Sequence, residues 1–120
     1  MEQLLVELQP AIEEARRTYS AARARFEAGL PEGSHFFVTT RLRDSRGAIE
    51  QVFVRVDAYR ESTAVGRIWS EIVGVQGYER GEVLLVVESE VIDWTILDAE
   101  GKEEGNFVGK LYDRLHGISH

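Results

Sequence analysis

The sequence predicts an α+β domain: a long N-terminal helix packed on a strongly bent, open-barrel-like antiparallel sheet of about five strands, with a short C-terminal helix. Three observations carry this. Apolar residues recur at steps of three and four from Leu5 to Phe26. From His35 the period drops to two. Short β-like runs then alternate with glycine-containing turns, the pattern of a curled antiparallel sheet.

The helix is read over 1–30. Leu5, Leu8, Ile12, Ala15, Tyr19, Ala22 and Phe26 form one apolar stripe. Pro10 suits a first helical turn, where its missing N–H has no partner to lose. Glu13 and Glu14 follow at the positive end of the helix dipole. The regular helix is therefore expected to begin near Gln9, with 2–8 an extra turn or an apolar arm. Glu13 and Arg17, four apart, are expected to pair. Gly29 and Pro31 end the helix. The stripe is too short and too rich in alanine for a coiled-coil seam, so packing on the chain's own sheet is expected.

Strands are expected across 35–97. Phe37, Thr39, Arg41 and Arg43 alternate with Phe36, Val38, Thr40 and Leu42. A turn at Ser45-Arg46-Gly47 leads into a second strand over 49–59, in which Val52, Val54 and Val56 share a face. A third strand is expected over 64–73, stopped by Gly74 and Gly77. A short buried strand over 83–87 and another over 91–97 complete the sheet. After Gly105 the spacing of Phe107, Val108, Leu111 and Leu115 is helical, which predicts a helix over 105–116.

A length of 120 residues suits one domain, 1–120, with a single core. There is no cysteine, so disulfides and thiolate metal sites are excluded. The net charge of −7 disfavours nucleic acid and anionic membrane surfaces. Between Glu71 and Glu104 acids dominate, with only Arg80 and Lys102 opposing them. That acidic excess reads as a solvated, solubilising face or, alternatively, as a surface for a basic protein partner. No secretory leader and no membrane helix are read from the chain, and a cytoplasmic location is expected.

Seven short motifs together carry a likeness: Phe53-Val54-Arg55-Val56-Asp57, Gly66-Arg67-Ile68, Ser70-Glu71, Gly81-Glu82-Val83, Asp93-Trp94, Asp98 with Gly101, and Gly105-Asn106-Phe107. In these the chain resembles the bacterial family called domain of unknown function 2314, the YegJ-like proteins, over about 12–115. It departs where Ile72 replaces a usual Pro, Phe53 a frequent Trp, and Glu82 a usual Asp. The resemblance implies a small bacterial domain with no established activity. It supplies no catalytic residues.

The candidates for chemistry are few. His35, His116 and His120 form no metal-binding pattern, and Gly117 interrupts the His116–His120 spacing. Ser34-His35 and Ser119-His120 are sequence neighbours, which is poor geometry for a nucleophile and its base. Glu88 with Glu90, Glu103 with Glu104, and Asp93 with Asp98 are carboxylate pairs, and the two glutamate pairs are expected in a solvated turn and an exposed loop. Asp93 is otherwise expected to cap a turn or to pair with an arginine such as Arg55 or Arg67. Asp98 and Gly101 build a turn, and Asn106 after Gly105 is expected to cap the last helix. Trp94 and Phe107 are expected to bridge strand and helix in the core, while Trp69 or Trp94 could instead line a groove.

Trp69, Asp93, Trp94, Asp98, Gly101, Gly105, Asn106 and Phe107 are thus the candidate interaction residues, with no catalytic set, cofactor or metal expected. The function expected is a non-catalytic binding module that sequesters or neutralises a protein partner. The alternative is a small hydrolase or ligand-binding enzyme using acids around Asp93. A homodimer through an open sheet edge, or through 2–8, is a third reading.

Overall fold

The computed structural model describes residues 2–115. The order of elements is α1 (Glu2–Ala28), β1 (His35–Arg43), β2 (Ile49–Arg60), β3 (Thr63–Ile68), β4 (Val83–Val87), a 3-10 turn (Glu88–Glu90), β5 (Asp93–Leu97), β6 (Glu103–Gly105) and α2 (Phe107–Leu115). The six strands form one antiparallel sheet in the order β4-β3-β2-β1-β5-β6. The expected α+β class holds, with one strand more than the count of about five.

α1 covers one face of the sheet. Ala15 and Ala22 let the helix approach closely, and Tyr19 and Phe26 pack beside them on Phe36, Val38, Val52, Val54, Val56, Ile68, Val86, Trp94 and Ile96. Burial therefore alternates along β2, as period two requires. Phe26 stacks on Phe36, with ring centroids 5.2 Å apart. Leu8, Ala11 and Ile12, nearer the helix N-terminus, pack instead against Val108 of α2.

Several expectations need correction. α1 runs through Pro10 rather than starting near Gln9. Interior proline costs about 3 kcal/mol, and burial of Leu8 between Ala11, Ile12 and Val108 offsets much of that. Arg17 pairs with Glu14, three residues back, not with Glu13. β3 stops at Ile68 because, although the Trp69 N–H still reaches the Phe53 carbonyl of β2, the Phe53 N–H goes to the Ser70 hydroxyl, and donors further on go elsewhere. The Glu50 carboxylate accepts the N–H groups of Val73, Gly74 and Val75, and Asp44 accepts that of Gln76.

β4 is not buried as expected. It is the sheet edge, and Val83, Leu85 and Val87 are 53%, 64% and 44% exposed. Glu103 and Glu104 belong to β6 rather than a loop. The 3-10 turn holds Glu88, which pairs with Arg23 at 2.6 Å. His116, Gly117, Ser119 and His120 lie outside the described residues.

Candidate functional site

Strand β5 places Asp93 and Trp94 in the interior. Asp93 is 1% exposed. Its Oδ1 accepts the N–H of Trp94, and its Oδ2 accepts the N–H of Val108, each at 2.8 Å. Asp93 thus accepts backbone N–H groups and caps the N-terminus of α2, a capping role rather than a pairing with Arg55 or Arg67. Burial pushes its carboxyl up to about 6, against the pull of the N–H donors of Val108, Trp94 and Phe107.

Asn106 was expected in that capping role, and the structure reassigns it. Its φ is 53°, in the left-handed region. Its side-chain amide points to Glu103, 3.4 Å away, while its carbonyl accepts the N–H of Lys110. Asn106 Oδ1 lies beside Gly109 in the first helical turn, and the second helical N–H, that of Val108, goes instead to the buried aspartate. Gly105, at φ 82°, lies against the Trp94 carbonyl and ring, where a Cβ would sit 2.4 Å from the carbonyl oxygen.

Trp94 is core. It is 4% exposed, its Nε1–H donates to Thr18 Oγ1 at 2.9 Å, and its ring meets Phe107 edge-on at 5.9 Å. Asp98 forms the expected turn: Oδ1 accepts the N–H groups of Glu100 and Lys102, and Gly101 closes it with φ 86°. These acids do not converge. Ile96 is the register partner of Glu104, three residues along β5 from Asp93, or about 10 Å at strand rise. Glu104 is occupied with Arg25 at the surface. Among the described residues no cluster of His, Asp and Glu could hold a metal ion.

Trp69 differs from the other candidates. It follows β3 directly, its N–H donating to the Phe53 carbonyl, so it stands on the sheet face opposite α1. It is 44% exposed. Its ring meets Phe37 edge-on at 5.9 Å, and the guanidinium carbons of Arg55 and Arg80 each lie 5.5 Å from its centroid. With Phe37, Phe53, Thr95, Leu97 and Glu103 it lines a groove of about 210 Å³. The Thr95 hydroxyl among these residues is buried without a hydrogen-bond partner.

Sequence reading had singled out Trp69 but not its companions. The period-two pattern already put Phe37 and Phe53 out of phase with the valine face. That Thr95 and Leu97 join them depends on β5 pairing with β1.

A second cavity, of about 570 Å³, escaped sequence reading. Residues 40–43 of β1, Leu84, Leu85 and Val86 of β4, Tyr78, Ser89, Glu90, Ile92 and Arg16 line it. Strands β1 and β4 are not neighbours in the sheet. The sheet curls enough to bring them to one cavity.

Part of the chain's acidic excess is engaged within the fold. Glu50, Asp44 and Asp98 accept backbone N–H groups, and Glu71, Glu88 and Glu104 pair with Arg80, Arg23 and Arg25. No helix among the described residues is long and apolar enough to cross a membrane. No protein-family model matches the chain, and no curated protein or solved structure matches it either.

Proposed function

We propose that this domain is a non-catalytic binding module that takes an extended segment of a protein partner on the sheet face left open by α1, with Trp69 as the anchor. The observation that carries the reading is the Trp69 groove. It offers a half-exposed aromatic wall, an apolar floor from Phe37, Phe53 and Leu97, and the unpartnered hydroxyl of Thr95. A few polar groups in an apolar cleft are what a binding site requires, and tryptophan is enriched among residues that dominate interfaces.

Whole-chain charge pointed to a basic partner, but the cations over the Trp69 ring are Arg55 and Arg80, of which Arg80 is paired with Glu71 and Arg55 forms no ion pair with a described residue, while Glu103 also lines the groove. The segment proposed therefore places an apolar side chain in the groove and an acidic residue beside it. Holding such a segment would keep it from other contacts, which is the sense in which the module would neutralise a partner. The likeness to the domain of unknown function 2314 family stands beside this as a proposal resting on the motifs alone, and it too points to no reaction.

Asp93 has the raised pKa of a candidate acid. Both its oxygens are taken by backbone N–H groups, however, and it is closed to solvent. That favours a structural task over the hydrolase alternative.

The test is selection of a displayed random-peptide library on the purified domain, with Trp69→Ala as the counter-target. Enrichment of segments that pair an apolar residue with an acid, and that fail on the variant, is the expected result. Peptides that bind wild type and Trp69→Ala equally would overturn the reading.

A further inference from the structure

The chain has twelve arginines, and seven have a defined partner. Arg17, Arg23, Arg25, Arg46 and Arg80 form ion pairs, Arg67 donates to the Gly81 carbonyl, and Arg55 lies over Trp69. Arg16, Arg41 and Arg43 are different. All three line the cavity between β1 and β4, and none makes an ion pair with another described residue. Arg41 is partly buried, and its Nη2 is closed to solvent with no hydrogen-bond partner. Burial, and then the nearby Arg16 charge, lower its pKa.

A desolvated guanidinium beside a second cation is costly unless an anion meets it. Glu90, the one carboxylate among the lining residues, does not supply it. Its backbone carbonyl accepts from Thr40 Oγ1, and its side chain forms no ion pair with the three arginines.

The rest of the cavity has the make-up of a small-molecule site. Its volume falls in the usual range of about 300–1,000 Å³. Leu84, Ile92 and the Tyr78 ring offer apolar surface, and Ser89 and Thr40 offer hydroxyls. β1 beyond Thr39 has no β5 partner, so one main-chain edge of 40–43 also faces this side. The net charge of −7 opposes anions at long range. Over less than the Debye length of about 8 Å, the paired guanidiniums dominate.

We propose that this cavity binds a small organic anion, with its oxyanion between Arg16 and Arg41 and its apolar body against Tyr78, Leu84 and Ile92. The shared chemistry is a planar or tetrahedral oxyanion, either carboxylate or phosphate monoester, which a guanidinium grips through two N–H groups. The site shares no lining residue with the Trp69 groove, so either proposal can fail alone.

The experiment is NMR titration of the intact domain at millimolar concentrations of phenyl phosphate, benzoate, inorganic phosphate and phenol. Phenyl phosphate or benzoate is expected to shift the amides of 40–43 and 89–92, and phenol is not. Whichever aryl anion binds more tightly identifies the oxyanion, and inorganic phosphate alone should bind more weakly than phenyl phosphate. Arg41→Met and Arg16→Met are each expected to weaken binding by about tenfold or more. Arg16 is exposed on α1, so its variant keeps the fold and the test stands even if Arg41→Met does not fold. No shift with either aryl anion, equal shifts with phenol, or unchanged affinity in Arg16→Met would overturn the proposal.

Discussion

The Asp93 carboxylate on β5 accepts the N–H of Val108, fifteen residues onward, at 2.8 Å, and so joins the central sheet to the start of α2. The same carboxylate holds the N–H of Trp94. One buried acid thereby sets the entry of the last helix and the strand residue on which that helix packs.

Because burial raises the Asp93 pKa to about 6 in the fold from 3.8, its neutral form is favoured by folding. Its contribution to stability is complete below about pH 3.8 and is lost as pH rises through about 6. Asp93→Asn carries no such proton. The stability of wild type relative to Asp93→Asn should therefore fall between pH 4 and pH 7, by on the order of 1–3 kcal/mol. Urea unfolding of both proteins at the two pH values measures it, and a pH-independent difference would contradict the assignment.

Trp94 donates its indole N–H to the Thr18 hydroxyl, which in turn donates to the Glu14 carbonyl within α1. Thr18→Val keeps the shape and deletes the acceptor, leaving a buried N–H unpaired. A loss of about 1–3 kcal/mol is expected. Thr18→Ser should restore most of it, and the pair of variants, compared by thermal unfolding, separates the hydrogen bond from packing.

Gly101 and Gly105 both adopt positive φ, yet they should respond differently to alanine. A Cβ at Gly101 meets nothing within 4 Å, so only backbone strain of about 1 kcal/mol is expected. A Cβ at Gly105 would lie 2.4 Å from the Trp94 carbonyl oxygen and 2.7 Å from its ring. Gly105→Ala should cost at least about 2 kcal/mol more than Gly101→Ala, because β6 or Trp94 must move. Equal losses in denaturant midpoint would show that the approach at Gly105 relaxes without cost.

Much of this fold was legible in residue order because its signals are local. The three-and-four spacing of Ile12, Ala15, Tyr19, Ala22 and Phe26 specifies a helix with one buried face. Val52, Val54 and Val56 specify a strand with one buried face. The Asp98–Gly101 turn needs nothing beyond four consecutive residues. Signals failed where a distant group captured the backbone. β3 ends early because the Ser70 hydroxyl takes the Phe53 N–H, and Glu50, from another strand, takes the donors of 73–75. Pro10 stays helical because Leu8 reaches Val108.

The same division holds for the sites. Residue order alone determined an α+β domain, a helix-facing valine sheet, and a short list of special residues in 93–109. It could not rank them, since burial and partners belong to the packed chain. Tertiary structure placed Trp94 in the core and Trp69 at the surface, and it moved the cap of α2 from Asn106 to Asp93. It also gathered Arg16, Arg41 and Arg43 from one helix and one strand around a single cavity. Periodicity reports which face of its own element a residue takes. Only the curl of the sheet decides what that face meets.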